Sequence, residues 1–326
     1  MVEWRYWFAE NRNTLLAVLM FVVMFAIYAG NHPAGFTANV VQTAANKATL
    51  LAFVAMAQAL VIITSGIDLS VGMVLTLANC VASWIVVGTG LETTLGILGV
   101  LATGALCGAV NGLIVIFGRL QPIVTTIATG AMFYGIALFL RPFPGGSVNE
   151  TLADFMTGKA FGFFPMSFVA LGAVVLVIWV PYSRSVIGRA AYAAGSSESA
   201  AYMSGMPVKL AKFTAYVLSG LLAAVGGLYL TFFSYTGEAA YASGNTYTLF
   251  SIAAVVLGGV SLMGGRGSAI GAIFGALAFR TIGDLLFVFD FDPLWQPLFQ
   301  GMVLLFAVSI SAFGLFRVRN KLDWFP

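Results

Sequence analysis

Residues 48–87 read ATLLAFVAMAQALVIITSGIDLSVGMVLTLANCVASWIVV, and this stretch predicts how the chain folds. Two apolar runs, at 48–64 and 71–87, enclose the short polar sequence SGIDLS at 65–70. A hydrocarbon core about 30 Å thick is crossed by about 20 mostly apolar residues in a helix, so each run is slightly short for a span. Their continuous apolar character also differs from the alternating pattern of a membrane barrel. We therefore predict two membrane helices that meet at a polar break.

The composition of the whole chain places it in a membrane. Hydrophobic residues make up 60% of the 326 residues and charged residues only 8%, and the mean hydropathy is +0.98. A soluble chain usually carries about 25% charged residues, so this chain has too few to cover a soluble surface. The net charge of +3, without a block of like charges, gives no basis for a nucleic-acid partner. We expect membrane lipid around the chain instead.

Apolar runs separated by polar connections recur along the chain. Ten of them are candidate membrane helices, since an open sheet cannot span a bilayer. They are residues 14–30, 48–64, 71–87, 95–117, 122–140, 164–181, 213–234, 248–263, 268–288 and 296–314. We therefore predict an all-α membrane protein with about ten transmembrane helices, some of them short or broken, in a single domain that covers residues 1–326.

The distribution of basic residues predicts the orientation of these helices. Lys and Arg collect in the cytoplasmic connections of membrane proteins. Most of the 15 basic residues fall at the N-terminus or in alternate connections that share its side. These residues are Arg5, Arg12, Arg119, Arg184, Arg189, Lys209, Lys212, Arg266, Arg317, Arg319 and Lys321. Both termini are therefore predicted to be cytoplasmic, which places the connection 182–212 inside and the connection 141–163 outside.

Asp68 lies in the polar break between the runs 48–64 and 71–87. A carboxylate at the centre of a bilayer costs about 2.5–3.5 kcal/mol on insertion scales, so its depth matters. It lies either in a short cytoplasmic turn or in a helix break within the membrane, where it caps a helix that starts near Leu69. We favour capping, and a proton or ligand site is the alternative.

Two patterns of glycine in the sequence indicate structural features, one around Arg266 and one repeated every four residues. The segment Ile252–Leu277, IAAVVLGGVSLMGGRGSAIGAIFGAL, has glycines on both sides of Arg266, which indicates backbone conformations that other residues resist. Glycines also recur every four residues, a spacing that lets helices approach closely in lipid. These positions are Gly104, Gly108 and Gly112, and then Gly267, Gly271 and Gly275. We interpret both stripes as packing surfaces, with a moving seam between helices as the alternative.

The sequence predicts a very short helix within the cytoplasmic loop 182–212. Ser196 or Ser197 can cap it, and Glu198 is favourable in its first turn. Gly205 then ends it. A helix of about two turns is not stable alone, so we predict that it contacts another subunit, with a plain surface turn as the alternative. The predicted contact residues are Gly195, Ser196, Ser197, Glu198, Ala200, Ala201, Tyr202, Ser204 and Gly205.

Taken together, these segments resemble the permease subunits of ribose-type sugar importers of the ATP-binding-cassette (ABC) class. The matching motifs are GIDLSVG at 66–72, NGLIV at 111–115, GRAAYAAGSSESAAYMSGM at 188–206, and GGVSLMGGRG with GAIFGAL within 258–277. The resemblance extends from Thr49 to Val308. Members often have Asn in the stretch where this chain has Ser196 and Ser197, and often Gly where Ser65 stands. These departures leave the substrate open, and also whether the two permease copies are equal.

The resemblance implies a bacterial inner-membrane protein that works within a larger assembly. Such permeases pair with a second copy or with a sister permease and bind two cytoplasmic ATPase subunits. They receive a sugar, here of the pentose or hexose class, from a periplasmic binding protein. The loop 182–212 would be the coupling element that contacts the ATPase. ATP and Mg²⁺ would bind to that partner, and no cofactor is expected on this chain.

The residues themselves agree that the energy source lies elsewhere. No phosphate-binding loop of the form G-x-x-x-x-G-K-[ST] occurs in the sequence. The single histidine, His32, and two cysteines in apolar runs, Cys80 and Cys107, leave little material for a metal site or a catalytic triad. We therefore predict a transport subunit rather than an enzyme, with ATP hydrolysis on a separate chain.

Polar side chains inside apolar runs usually face a bundle interior or a watery path. For a neutral sugar we expect a path of amide, hydroxyl and aromatic groups rather than fixed charges. The candidate path residues are Gln58, Asp68, Asn79, Asn111 and Tyr134. Arg280 and Asp284 lie four residues apart on one helix face, so we predict that they form an intramembrane ion pair with a structural role.

Other transport functions stay open at this point. An ion-coupled secondary transporter would use Asp68, or Arg280 with Asp284, as its coupling site. ABC permeases for nucleosides, branched-chain amino acids or furanosyl signalling molecules share the general architecture. An amino-acid permease should offer groups that meet both charges of its substrate.

Overall fold

The computed structural model describes residues 2–306 and residue 309, with side chains described for all of these except 2–10 and 241–243. Its α-helices follow one another with few other elements between them. They are α1 (Val2–Asn31), α2 (Ala38–Ile63), α3 (Val71–Ile85), α4 (Leu91–Gly112), α5 (Pro122–Leu140), α6 (Glu150–Thr157), α7 (Met166–Val174), α8 (Val180–Arg184), α9 (Val186–Ser196), α10 (Glu198–Met203), α11 (Val208–Ser234), α12 (Tyr241–Leu257) and α13 (Ala269–Val288). Residues 296–306 are also helical.

Short elements complete the trace. The π-helical turns Leu113–Phe117 and Val175–Trp179 extend α4 and join α7 to α8. Strands β1 (Lys159–Ala160) and β2 (Phe164–Pro165) pair antiparallel in a small hairpin before α7. A 3-10 turn, Pro293–Trp295, leads into the helical residues that follow.

Seven helices of the described chain are long and apolar enough to cross a membrane. They are Asn11–Asn31, Ala38–Ile63, Leu91–Phe117, Pro122–Leu140, Met166–Arg184, Val208–Ser234 and Ala269–Val288. The helix α3 and residues Gly244–Leu257 of α12 are apolar but shorter. The all-α membrane class is thereby confirmed, while ten spans stay a prediction. The predicted run 296–314 is helical to residue 306, and most of its remainder lies outside the described residues.

The core of the protein lies along α2. Nearly every residue of α2 from Ala44 to Ile63 is buried, and the helix contacts α3, α7, α11, α12 and α13. A helix that is apolar on all sides is buried within its protein rather than placed at the surface. The helices α1 and α5 lie further out, against α13 and α3 respectively. The polar break that follows α2 is therefore held between several helices.

Glycines bring α4 and α11 into direct backbone contact. A methyl group on Gly108 would lie 2.2 Å from the carbonyl oxygen of Tyr216, and one on Gly220 would lie 2.1 Å from that of Gly104. These distances are too short for any carbon–oxygen contact, so only glycine fits. The stripe at Gly104 and Gly108 is therefore a packing surface, as its spacing predicts.

We expect Gly108→Ala to destabilise the protein because the added methyl group must displace α11. Overpacking of this kind typically costs about 1–3 kcal/mol. The matched control is Gly135→Ala in α5, where an added methyl group meets no atom within 4 Å. Thermal unfolding in detergent micelles should give a lower midpoint for Gly108→Ala and an unchanged midpoint for the control. Equal midpoints would contradict the packing described.

Candidate functional site

Three motifs that are far apart in the sequence meet at the end of α2. The hydroxyl of Ser65 lies 3.0 Å from the carbonyl oxygen of Gly195 and 2.6 Å from that of Met263. The backbone amide of Gly265 donates a hydrogen bond of 2.9 Å to the carbonyl oxygen of Ile63. We call this meeting point the junction, and it consists of residues 63–66, 195–196 and 263–267.

The three segments of the junction approach one another closely because their backbone adopts conformations that favour glycine. Ser65 has a φ of 63°, and Gly264 and Gly265 have φ values of 82° and 70°. These values lie in the left-handed region, which glycine adopts without steric cost. A methyl group on Gly195 would lie 1.9 Å from the carbonyl oxygen of Ile63. Ser65 is not a glycine, so its positive φ carries a steric cost that glycine would avoid.

Tyr192 of α9 ties that helix to the junction. Its hydroxyl donates a hydrogen bond of 2.7 Å to the carbonyl oxygen of Gly267, just before α13. Burial raises the pKa of Tyr192 to about 12, so the hydroxyl keeps its proton at physiological pH and stays a donor. The contact therefore does not switch with pH in the cell.

The predicted short helix is present next to the junction, as α10. The hydroxyl of Ser197 accepts a hydrogen bond of 3.4 Å from the amide of Ala200, which is the predicted capping contact. Glu198 in the first turn forms an ion pair of 2.5 Å with Lys212 of α11. The helix stops before Gly205, which has a φ of 74°. The sequence signals for both ends of α10 are thus confirmed.

The predicted contact residues differ in how far they reach solvent. Ala201 is buried against Ala194 and Val208, and Gly195 is buried in the junction. The other predicted contact residues are exposed, namely Ser196, Ser197, Glu198, Ala200, Tyr202, Ser204 and Gly205. Tyr202 is 71% exposed, and its neighbour Met203 is 80% exposed. The helix α10 thus presents two large apolar side chains away from the core.

The first N–H groups of α3 find acceptors on neighbouring helices. The first turn of a helix has no intrahelical partners for these groups, and here apolar helices surround it. The backbone amide of Leu69, just before α3, donates a hydrogen bond of 3.0 Å to the hydroxyl of Thr126 in α5. The backbone amide of Gly72 donates a hydrogen bond of 3.1 Å to the hydroxyl of Thr248 in α12. Side chains of α5 and α12 therefore satisfy these two amides of the polar break.

Asp68 is the centre of a buried polar network at the same place, and it is only 1% exposed. Its Oδ1 accepts hydrogen bonds from the amide of Ser70 at 2.9 Å and from the hydroxyl of Ser70 at 2.6 Å. The side-chain amide of Asn111 donates a hydrogen bond of 2.7 Å to that hydroxyl. The hydroxyl of Thr129 donates a hydrogen bond of 2.5 Å to the side-chain oxygen of Asn111. Ser219 lies 3.4 Å from Asp68 Oδ2. The polar network thus joins the break to α4, α5 and α11.

We expect Asn111→Ala to lower the free energy of unfolding by about 1–3 kcal/mol, because it removes the two buried hydrogen bonds that Asn111 makes with Ser70 and Thr129. The matched control is Thr103→Ala on the same helix, since among the described residues the Thr103 hydroxyl bonds only the carbonyl of Gly99 in its own helix. Unfolding in mixed micelles with increasing sodium dodecyl sulfate measures both variants. A control as unstable as Asn111→Ala would contradict the role assigned to the network.

Asn79 holds the connection that follows α11. Its amide nitrogen donates to the hydroxyl of Thr231 at 2.9 Å and to the carbonyl of Thr236 at 3.2 Å. Its oxygen accepts 2.8 Å from the amide of Glu238. The side chain of Asn79 therefore fixes the loop that follows α11.

A cavity lies at the opposite end of α2 from the junction. It has two compartments of about 640 Å³ and about 500 Å³, whose walls share Lys47, Arg280, Pro293 and Gln296. We call it the distal cavity. Small-molecule sites typically have volumes of about 300–1,000 Å³, so each compartment has a suitable size. Among the described residues that line it, none is a predicted path residue. Those predicted residues are Gln58, Asp68, Asn79, Asn111 and Tyr134.

The predicted ion pair between Arg280 and Asp284 is wrong, because Asp284 has a different partner. Asp284 instead pairs with Lys47 of α2, with 3.5 Å between Nζ and Oδ1. Within the described residues no ion pair joins Arg280 to Asp284. The prediction used spacing along α13 alone, and that spacing carries no information about a lysine on another helix. Arg280 reaches both compartments of the distal cavity.

Two predicted path residues lie in neither the polar network nor the distal cavity. Gln58 is fully buried in the middle of α2, and its side-chain amide has no hydrogen-bond partner within the described part of the chain. Tyr134 of α5 is half-buried and packs against the main core. Their role on a path stays a prediction.

Sequence reasoning missed the residues that act between helices. Thr126, Thr248 and Ser219 look like the hydroxyl residues found in any membrane helix, so no local signal marks them. Lys47 did carry a signal, because it is a charged residue directly before the apolar run 48–64. Its partner Asp284 could be found only in three dimensions.

The sequence that forms this set of membrane helices matches a known family of transport proteins. A family model described as "Branched-chain amino acid transport system / permease component" matches residues 40–308. The chain belongs to this family of permease components. It is therefore a multi-pass inner-membrane subunit of an ABC importer, whose ATPase is a separate subunit, and the predicted resemblance is confirmed.

Curated relatives align with almost the whole chain. The ribose import permease protein RbsC of Escherichia coli (strain K12) is 33% identical over 94% of both chains. The autoinducer 2 import system permease protein LsrC of Enterobacter sp. (strain 638) is 32% identical over 96% of this chain and 89% of its own. The fructose import permease protein FrcC of Rhizobium meliloti is 31% identical over 91% and 83%. No solved structure matches the chain.

Proposed function

We propose that this permease forms the translocation path for a sugar of the pentose or hexose class. A periplasmic binding protein delivers the sugar, and ATP hydrolysis with Mg²⁺ on the cytoplasmic ATPase drives its passage. One observation carries the proposal: import permeases named for ribose and fructose align with this chain over nearly its full length. A branched-chain amino acid, which the family description names, and a nucleoside are the alternatives within the same class.

The proposal includes ten spans with both termini in the cytoplasm. The junction and the loop 182–212 then face the cytoplasm, and the distal cavity faces the periplasm. The support is that the predicted runs up to 268–288 each coincide with an apolar helix, and that basic residues concentrate on one side. A second copy of the chain or a sister permease completes the path.

The coupling surface of this permease consists of α10 and the exposed residues beside it. A helix of six residues is not stable in isolation, so the Ser197 cap and the ion pair of Glu198 with Lys212 hold it in place. Tyr202 and Met203 are large apolar side chains left exposed by the fold. Exposed apolar groups on a well-anchored element are typical of a protein interface. We assign this surface to the ATPase.

An ion-coupled transporter with Asp68 as its coupling site is the candidate from another class. A coupling carboxylate must exchange its ion with a watery path. Asp68 is buried, accepts hydrogen bonds from Ser70, and is not among the lining residues of the distal cavity. These contacts favour a structural acceptor over ion exchange, although Asp68 does not cap α3 itself, whose N-cap residue is Ser70.

The experiment is co-purification of the ATPase from native membranes in mild detergent, with identification by mass spectrometry. The unmodified chain should bring with it an ATPase that contains G-x-x-x-x-G-K-[ST] motifs. The double variant Tyr202→Glu, Met203→Glu should recover about tenfold less of it, because two charges then replace the apolar contact. Ala201 is a poor probe because it is buried, so its change would disturb α10 itself.

The matched control is Phe161→Glu, which also replaces a fully exposed aromatic residue by an acid but lies in the hairpin between β1 and β2. It should recover as much ATPase as the unmodified chain. Repeated recovery of active permease without any ATPase would overturn the proposed function. Full recovery with the double variant would overturn only the assignment of the coupling surface.

A further inference from the structure

The two compartments of the distal cavity form one charged site. Lys47 and Arg280 belong to the walls of both compartments, and Asp284 lines the larger one. Charged residues make up only 8% of the chain, so three of them around one cavity are a concentrated feature. Amide and hydroxyl side chains are sufficient to bind the hydroxyl groups of a neutral sugar. A path for such a sugar therefore does not require these three charges.

Arg280 supplies a positive charge that forms no ion pair with any described residue. Lys47 and Asp284 pair with each other, so their charges cancel within the site. Arg280 has neither an ion pair nor a hydrogen bond within the described residues, although it lines both compartments. Asp290 and Asp292 lie on the nearby connection, but neither is among the lining residues. The cavity therefore carries one uncompensated guanidinium.

Gln300 supplies a second donor without a partner. It is 3% exposed and lines the smaller compartment, and its Nε2 has no hydrogen-bond partner within the described residues. A buried amide without a partner costs about 1–3 kcal/mol, and a ligand oxygen would remove that cost. Gln296 and Tyr247 add further polar groups, and Phe250 adds an aromatic face. A few polar groups on a partly apolar wall are typical of a ligand site.

We infer that the distal cavity binds an acidic sugar, in which one carboxylate pairs with Arg280 and the hydroxyl groups bind the surrounding amides. The planar guanidinium presents a fork of donors that matches a carboxylate with two parallel hydrogen bonds. Gln300 donates to a ring or hydroxyl oxygen of the same ligand. This inference rests on the proposed function and narrows its substrate class from sugars in general to sugar acids.

The test compares two probes that differ only at one carbon, D-galacturonate and D-galactose. Their dissociation constants for the full-length permease with its ATPase, in nanodiscs of zwitterionic lipid, are measured by ligand-observed nuclear magnetic resonance. Galacturonate should bind about tenfold more tightly, the factor expected for one charge-assisted contact. Arg280→Gln should bring the ratio of the two constants to about one while galactose binding stays the same.

Two further variants keep the test decisive. Arg280→Lys retains the charge and should keep part of the preference, so a loss caused by misfolding is recognised. Arg119→Gln removes an exposed arginine that lies far from the cavity in sequence and outside its walls, and it should behave like the unmodified chain. Equal binding of the two sugars, tighter binding of L-leucine than of galacturonate, or an unchanged ratio in Arg280→Gln would each overturn the inference. Any of these results with the ATPase still bound would leave the assignment as an importer permease intact.

Discussion

The hydrogen bonds at the start of α3 are the constraint on which the rest of the structure depends. An N–H group that is buried without a hydrogen-bond partner costs free energy, so a helix can begin among other packed helices only where acceptors are present. Asp68 supplies one acceptor from the break itself, and Thr126 and Thr248 supply others from α5 and α12. Asn111 links the break to α4 through Ser70. One interruption between two apolar helices therefore fixes the position of several others.

The same interruption determines where the junction forms and how it connects to the distal cavity. Because α2 stops at Ile63, the carbonyl oxygen of that residue is free to accept a hydrogen bond from Gly265. The helices α2 and α13 each have one end at the junction and the other at the distal cavity, where Lys47 of α2 pairs with Asp284 of α13. Two packed helices thus connect the junction, which lies beside the proposed coupling surface, with the distal cavity. We propose that a shift of α10 on the ATPase is transmitted to the cavity through these two helices.

The sequence predicted those parts of the fold that depend on local patterns. Apolar runs predicted the helices, and Ser197 with Gly205 predicted both ends of α10, because capping and left-handed turns involve residues close in sequence. Contacts between helices could not be predicted in this way. Arg280 and Asp284 have the spacing of an ion pair, yet Lys47 lies closer to Asp284 in space. Polarity alone predicts the path residues, and polarity does not distinguish a side chain that fixes a loop, such as Asn79, from one that lines a cavity.

The role of Asp68 as a structural acceptor in an ATP-driven permease is tested most directly by Asp68→Asn. Asparagine keeps a side-chain oxygen for the amide of Ser70 but cannot exchange a proton. Uptake of a labelled sugar is measured in proteoliposomes that contain the complete importer, with ATP on the ATPase side and no ion gradient. We predict uptake within about twofold of the unmodified importer, since the hydrogen bond to Ser70 is retained. A folded, ATPase-bound Asp68→Asn importer that has lost all uptake would contradict this role and point to ion coupling at Asp68.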